Sequence, residues 1–196
     1  MADELLSFNT PCLYFNKPGG KNTKPVLEAV ARRAKELSIR KVLIATIRGR
    51  TAFEALKILP PDVKIIAVTH VTGYAKPDTQ ELTEENRKTL ESHGVVVLTC
   101  QHAFGGVGRA VRNKLATYQI DEIMAYTLRI FGQGTKVAVE LALMAVDAGL
   151  VRTDEDVIST GGTATGLDSA LVIKPANSAR FFDLKVKEVI CKPAMF

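Results

Sequence analysis

Short runs of β-branched and aliphatic residues alternate along this chain with stretches whose apolar positions recur every three to four residues. That is the pattern of strands alternating with amphipathic helices. CLYFN (12–16), KVLIAT (41–46) and KIIAVTH (64–70) read as strands. Between the first two, Thr23 caps a helix with Pro25 in its first turn and Val26, Ala29, Val30 and Leu37 facing inward. The next helix carries Ala52, Ala55, Leu56 and Leu59 until Pro60 and Pro61 stop it. Thr83 caps a third helix with acids in its first turn. VVVLTC (95–100) is apolar throughout, as a parallel strand buried on both faces is.

A helical region to Phe131 follows, then a GQG break and the apolar helix TKVAVELALMAVDAGL, ended by Gly149. DVIST (156–160) opens a fifth strand. The link GGTATG is too short for a parallel crossover, so LDSALVIKPA should run antiparallel. KVKEVICKP (185–193) is expected as another edge strand. The sum is one α/β domain over residues 1–196, a three-layer α/β/α arrangement whose mostly parallel sheet has antiparallel edge strand(s).

In such sheets ligands sit beyond the carboxyl ends of the strands. The loops entering strands here are plain (LSIRK, LPPDVK, ESHGV), whereas those leaving them (NKPGGKNT, TIRGRT, THVTGY, TCQHAFGGVGR, STGGTATG) are rich in Gly, hydroxyls and donors. The sharpest is IATIRGRT, 44–51, where a strand ends in Thr46 and delivers Arg48, Gly49 and Arg50 to the mouth of a helix, with Thr51 behind them. A glycine that admits close backbone approach, free helix-start N–H groups and two guanidiniums suit phosphate oxygens. Lys17 and Asn22 with their glycines either flank that ligand or form only a tight turn. Thr69, His70 and Gly73 either face it or simply finish a strand. Gly161, Gly162 and Thr163 offer backbone amides to phosphate or form an ordinary link.

Composition narrows the class. With 46% hydrophobic and 24% charged residues over 196 positions, the chain can bury a core without staples. The start MADELLSFNT has acids where a secretory signal needs bases, and the longest apolar-rich stretch, 137–146, contains Glu140 and is too short for a bilayer. Cys12, Cys100 and Cys191, odd in number and far apart, fit reduced thiols, so a cytoplasmic protein without membrane contact is expected. The net charge of +5 comes from scattered bases without aromatic interleaving, which speaks against nucleic acid.

Near misses remove the common nucleotide motifs. GVGRAV (106–111) has Val111 where a dinucleotide fingerprint needs its third glycine. GGTATGLD has P-loop glycine spacing, but Leu167 and Asp168 stand where Lys and Ser or Thr belong. Cys100, His102 and His70 are the reactive side chains on offer for catalysis, yet no zinc-type spacing supports them, and no metal site is expected.

The run KVLIATIRGRTAFEALKILPPDVKIIAVTH and the late DVISTGGTATGLDSALVIKP resemble the C-terminal domain of pyruvate kinase. YFNKPGGKNT, HVTGY, FGQGTKVAVELALMAVDAGL and VIKPANSARFFD extend the resemblance to free-standing archaeal and bacterial proteins of that α/β domain type, over nearly the whole chain. In pyruvate kinase this domain is regulatory, and the resemblance implies that Thr46, Arg48, Gly49, Arg50 and Thr51 grip a phosphate while the 161–166 loop closes over it. The catalytic barrel is missing, so the resemblance implies no pyruvate kinase activity. The late loop lacks the kinase's aromatic and basic residues, against a sugar bisphosphate. The free-standing family's resemblance implies FMN as the phosphorylated ligand and cofactor. Two alternatives stay open: an enzyme using flavin or a phosphate ester, and a regulatory homo-oligomer assembled through the 137–146 helix or the 185–192 strand.

Overall fold

The computed structural model describes residues 7–196. Residues 1–6 of the expected domain, and with them most of the acidic start, lie outside the described residues. The described chain forms a seven-stranded sheet in the order β1-β7-β6-β5-β2-β3-β4. The strands are β1 (Leu13–Phe15), β2 (Lys41–Ala45), β3 (Lys64–Val68), β4 (Val96–Leu98), β5 (Val157–Gly161), β6 (Ser169–Lys174) and β7 (Lys185–Pro193). The pairs β2–β3, β2–β5, β3–β4 and β1–β7 are parallel, and β6 runs antiparallel to both its neighbours.

Alternation along the strands builds two cores. Val42 and Ile44 of β2 join one apolar cluster with Val26, Val30, Ala52 and Leu90, while Leu43 joins the other with Ala138, Leu141 and Ala142. Helices α1 (Thr23–Glu36), α2 (Arg50–Ile58) and α3 (Glu84–Ser92) therefore cover one face. On the other lie α5 (Ile120–Arg129) and α6 (Gln133–Asp147), with α4 (Val107–Leu115) packed on α5. This is the three-layer α/β/α domain. No helix among the described residues is long and apolar enough to cross a membrane.

Local chemistry explains the helix limits. Thr83 caps α3 by accepting from the Asn86 N–H at 3.2 Å, as its position predicts. Leu59, which precedes Pro60, is extended and ends α2. Thr23 does something other than cap: it lies inside α1, donates to the Gly20 carbonyl at 2.8 Å and accepts from the Leu167 N–H at 3.0 Å, tying the helix start to the β5–β6 link.

Three expectations change. β4 is an outermost strand of three half-buried residues, because the sheet stops there and only β3 pairs with it. β7 is enclosed between β6 and β1, although β1 covers only Cys191–Pro193, so the Lys-bearing first half remains an edge. The apolar helix considered as an oligomer surface is spent on the core, with every residue from Ala138 to Val146 buried.

Candidate functional site

β1 to β5 share one direction, since β7 and β5 are each antiparallel to β6 and β1 is parallel to β7. Their carboxyl ends thus lie on one edge of the sheet. A cavity of about 670 Å³ opens there, walled by the segments after β2, β3 and β5 and by the first half of α6.

The β2–α2 turn is braced from within. Gly49 adopts φ 95°, and a Cβ there would meet Leu82 at 3.1 Å and Phe53 at 3.2 Å, so conformation and packing are what demand glycine. Thr46 Oγ1 accepts from the Gly49 N–H at 3.0 Å, and the Thr51 hydroxyl donates to the Ala45 carbonyl at 2.6 Å. The first intrahelical bond runs from Phe53 N–H to the Gly49 carbonyl, and no side chain caps the turn. The N–H groups of Arg50, Thr51 and Ala52 are the donors such a helix start leaves open. Asn86 fixes the approach by donating to the Arg48 carbonyl at 3.0 Å. Arg50 leans on Glu54 at 3.7 Å, an exposed and weak pair, while Arg48 has no carboxylate partner among the described residues.

The β3 end supplies a polar aromatic wall. His70 Nδ1 lies 2.7 Å from Glu81 Oε2. An ionised carboxylate only accepts, so a proton on Nδ1 makes this bond and fixes the ring's orientation. Tyr74 packs on His70 at 4.0 Å between centroids and stacks on His102 at 5.2 Å, with the Arg109 guanidinium 5.1 Å from its centroid. His102 Nε2 accepts from the Val71 N–H at 3.3 Å. Burial, with His70, Lys136 and Arg109 nearby, holds the His102 pKa below the usual imidazole value against the opposing pull of Glu140.

α6 contributes an ion pair buried in an otherwise apolar helix. Lys136 Nζ bonds Glu140 Oε2, whose other oxygen accepts from the Phe104 N–H at 2.9 Å. Their side chains are 7% and 5% exposed, and burial lowers the lysine's pKa. On the neighbouring turn, Arg129 Nε donates to Gln133 Oε1 at 2.6 Å. Across the cavity walls, Arg48, Arg50, Arg109, Arg129 and Lys136 stand against Glu81 and Glu140, an excess of positive charge in a confined space.

The β5–β6 link is held by its own carboxylate. Asp168, fully buried, accepts from the N–H groups of Gly19 and Thr163 and from the Ser169 hydroxyl, each at 3.0 Å. The glycines there serve close approach: a Cβ on Gly161 would lie 2.0 Å from the Gly134 carbonyl oxygen, and one on Gly162 would lie 1.9 Å from that of Gly166.

Of the residues singled out from sequence, Thr46, Arg48, Arg50, Thr51, Thr69, His70 and Gly162 line the cavity together. Gly49, Gly73, Gly161 and Thr163 do not line it, Gly73 being exposed and the Thr163 amide spent on Asp168. Lys17 and Asn22 close a turn on themselves, Asn22 donating to the Lys17 carbonyl at 2.8 Å, outside the wall. Gly20 of that turn does reach the rim, its Cβ position 3.2 Å from Arg50 Nη2. Cys100 does not line the cavity, and burial raises its thiol pKa, which makes it a poor nucleophile. Sequence reasoning missed Glu81, Arg109, Arg129, Gln133, Lys136 and Glu140. The Lys136–Glu140 spacing of four inside an apolar helix was the available signal for one pair. Among the described residues no group of three or more His, Cys, Asp or Glu is placed to hold a metal ion.

Comparison with known proteins gives a family match and a structural one. Residues 24–173 match the family model for the pyruvate kinase alpha/beta domain. Among solved structures, Cryptosporidium parvum pyruvate kinase in complex with ADP matches at 17% identity and a TM-score of 0.38, over 81% of this chain and 24% of that one. The chain thus spans about a quarter of the length of that protein.

Proposed function

The chain belongs to the pyruvate kinase alpha/beta domain family, and from that premise we propose that it binds a phosphorylated small molecule, FMN foremost, at the carboxyl edge of its sheet. The observation that carries this is the charge of the cavity: four guanidiniums and an ammonium around a space of about 670 Å³, beside open helix-start amides at Arg50–Ala52. Arg48 and Arg50 hold the phosphate with those amides. The wall of His70, Tyr74 and His102 faces the remainder of the ligand.

A charge-assisted hydrogen bond of this kind contributes about 2 kcal/mol, or roughly 30-fold in affinity. Titration of FMN against riboflavin on the same protein isolates the phosphate, and wild type is expected to favour FMN at least that much. Arg48→Ala with Arg50→Ala should erase the preference. Equal affinity for both flavins in wild type would sink this reading.

A second reading, acid–base chemistry on the bound ligand, is favoured by the His70–Glu81 pair, in which the carboxylate orients an imidazole that lines the cavity. His70→Gln is expected to lower turnover in a screen of phosphate esters by a far larger factor than it weakens FMN binding.

A further inference from the structure

The outward face of α5 carries the wrong residues for water. Among its positions Ile120, Ile123, Tyr126 and Thr127 are exposed, whereas Asp121 and Arg129 are half-buried and Glu122 is buried. A surface helix ordinarily shows the reverse, charge outward and apolar residues inward. Ile130, which caps the helix, and Phe131 after it extend the face, and Tyr118 joins it edge-on to the Tyr126 ring at 5.7 Å between centroids. Ile120 and Ile130 are 71% and 67% exposed, and each of the other four apolar members is at least half exposed.

Size and pattern both say what covers this face. At about 200 Å² for a large apolar residue fully in water, the six present on the order of 700 Å². A monomer's apolar patches usually span a few hundred Å², whereas a stable dimer needs about 800 Å² from each partner, a scale this face reaches once its rim is added. Along the helix the stripe runs Ile120, Ile123, Thr127, Ile130, the three–four–three spacing of a two-helix seam. That spacing reads the same from either end, so an antiparallel second copy sets Ile120 against Ile130 and Ile123 against Thr127. The antiparallel sense also lays the acidic first turn of one α5, with Asp121, beside the last turn of the other, with Arg129. A parallel pair would set like charge and like dipole end together. Two copies of a chain with net charge +5 repel, and a face without exposed charge is where that repulsion is least.

We propose that α5 is a homodimer interface, two copies packing their α5 helices antiparallel about a two-fold axis level with Ala125. This surface is distinct from the 137–146 helix, which the core consumes, and from the open half of β7.

Sedimentation equilibrium of the full chain over a range of concentrations tests it. Wild type should be a dimer at micromolar concentration. Ile123→Lys, at an exposed position whose change the monomer tolerates, should be monomeric there and keep the wild-type circular dichroism. Thr127→Leu adds apolar area to the middle of the seam and should tighten the dimer about tenfold. Val186→Lys, on the exposed half of β7, should leave the equilibrium unchanged. A monomeric wild type overturns the proposal and leaves the face to residues 1–6 or to another protein. So does a dimer that survives Ile123→Lys, one that Val186→Lys dissolves, or one that Thr127→Leu leaves no tighter.

Discussion

The Lys136–Glu140 pair should behave as a site device that costs the fold stability. Glu140→Ala would leave a lysine whose side chain is 7% exposed without its counter-ion and would orphan the Phe104 N–H that now donates at 2.9 Å. Loss of one member of a buried pair costs about 3–5 kcal/mol. The lysine itself sets an upper bound on its own share. Starting from an ordinary value of 10.5, it can shed its proton at about 1.36 kcal/mol per pH unit, so the penalty at pH 7 cannot exceed about 4.8 kcal/mol. That bound falls to about 2 kcal/mol at pH 9. The sign follows from linkage: burial puts the folded pKa below the unfolded one, the unfolded chain binds more protons in that window, and stability rises with pH.

Urea unfolding of Glu140→Ala at pH 7 and pH 9 therefore checks both size and slope. The double variant Lys136→Met with Glu140→Gln removes both charges, keeps an acceptor for the Phe104 N–H and fills the lysine stem's volume. It should lie within about 1 kcal/mol of wild type or above it, as apolar replacements of buried ion pairs do. If that stable double variant also loses FMN affinity, the pair is retained for the ligand. A Glu140→Ala penalty below about 1 kcal/mol, or one that grows with pH, refutes the reasoning.

Two further outcomes follow from the same geometry. The His102 pKa lies below its ordinary 6.5 because burial, and secondarily His70, Lys136 and Arg109, disfavour the imidazolium. Stability should fall as pH drops below 6.5 towards the lowered folded value, and His102→Asn should flatten thermal melts across that window. Asp168→Ala orphans the Gly19 and Thr163 amides and the Ser169 hydroxyl, so urea unfolding should report a loss of about 3 kcal/mol, with Asp168→Asn retaining part of it.

Strand direction was legible in the sequence because connection length encodes it: a helix-bearing crossover means parallel, and the short GGTATG link means antiparallel. Direction alone sends the loops after β1 to β5 to one edge, which is why Thr46, Arg48, Arg50, Thr69, His70 and Gly162 meet around one cavity. Lateral order carries no such local signal. β1 sits four places from β2, about 19 Å at ordinary strand spacing, and the loop after it returns to the rim only at Gly20, beside Arg50, while Lys17 and Asn22 are turned to each other off the wall. The same blindness hid the second half of the site. Arg109 and Arg129 come from α4 and α5, and only the packing of α5 on α6 and of α4 on α5 brings them to the rim. Glycines misled for a related reason. At Gly49 and Gly161 the missing side chain makes room for Leu82 and for the Gly134 carbonyl, contacts between elements distant in sequence. A glycine-rich loop read alone fits phosphate approach and tight packing equally, and the neighbour that decides between them is contributed by another part of the chain.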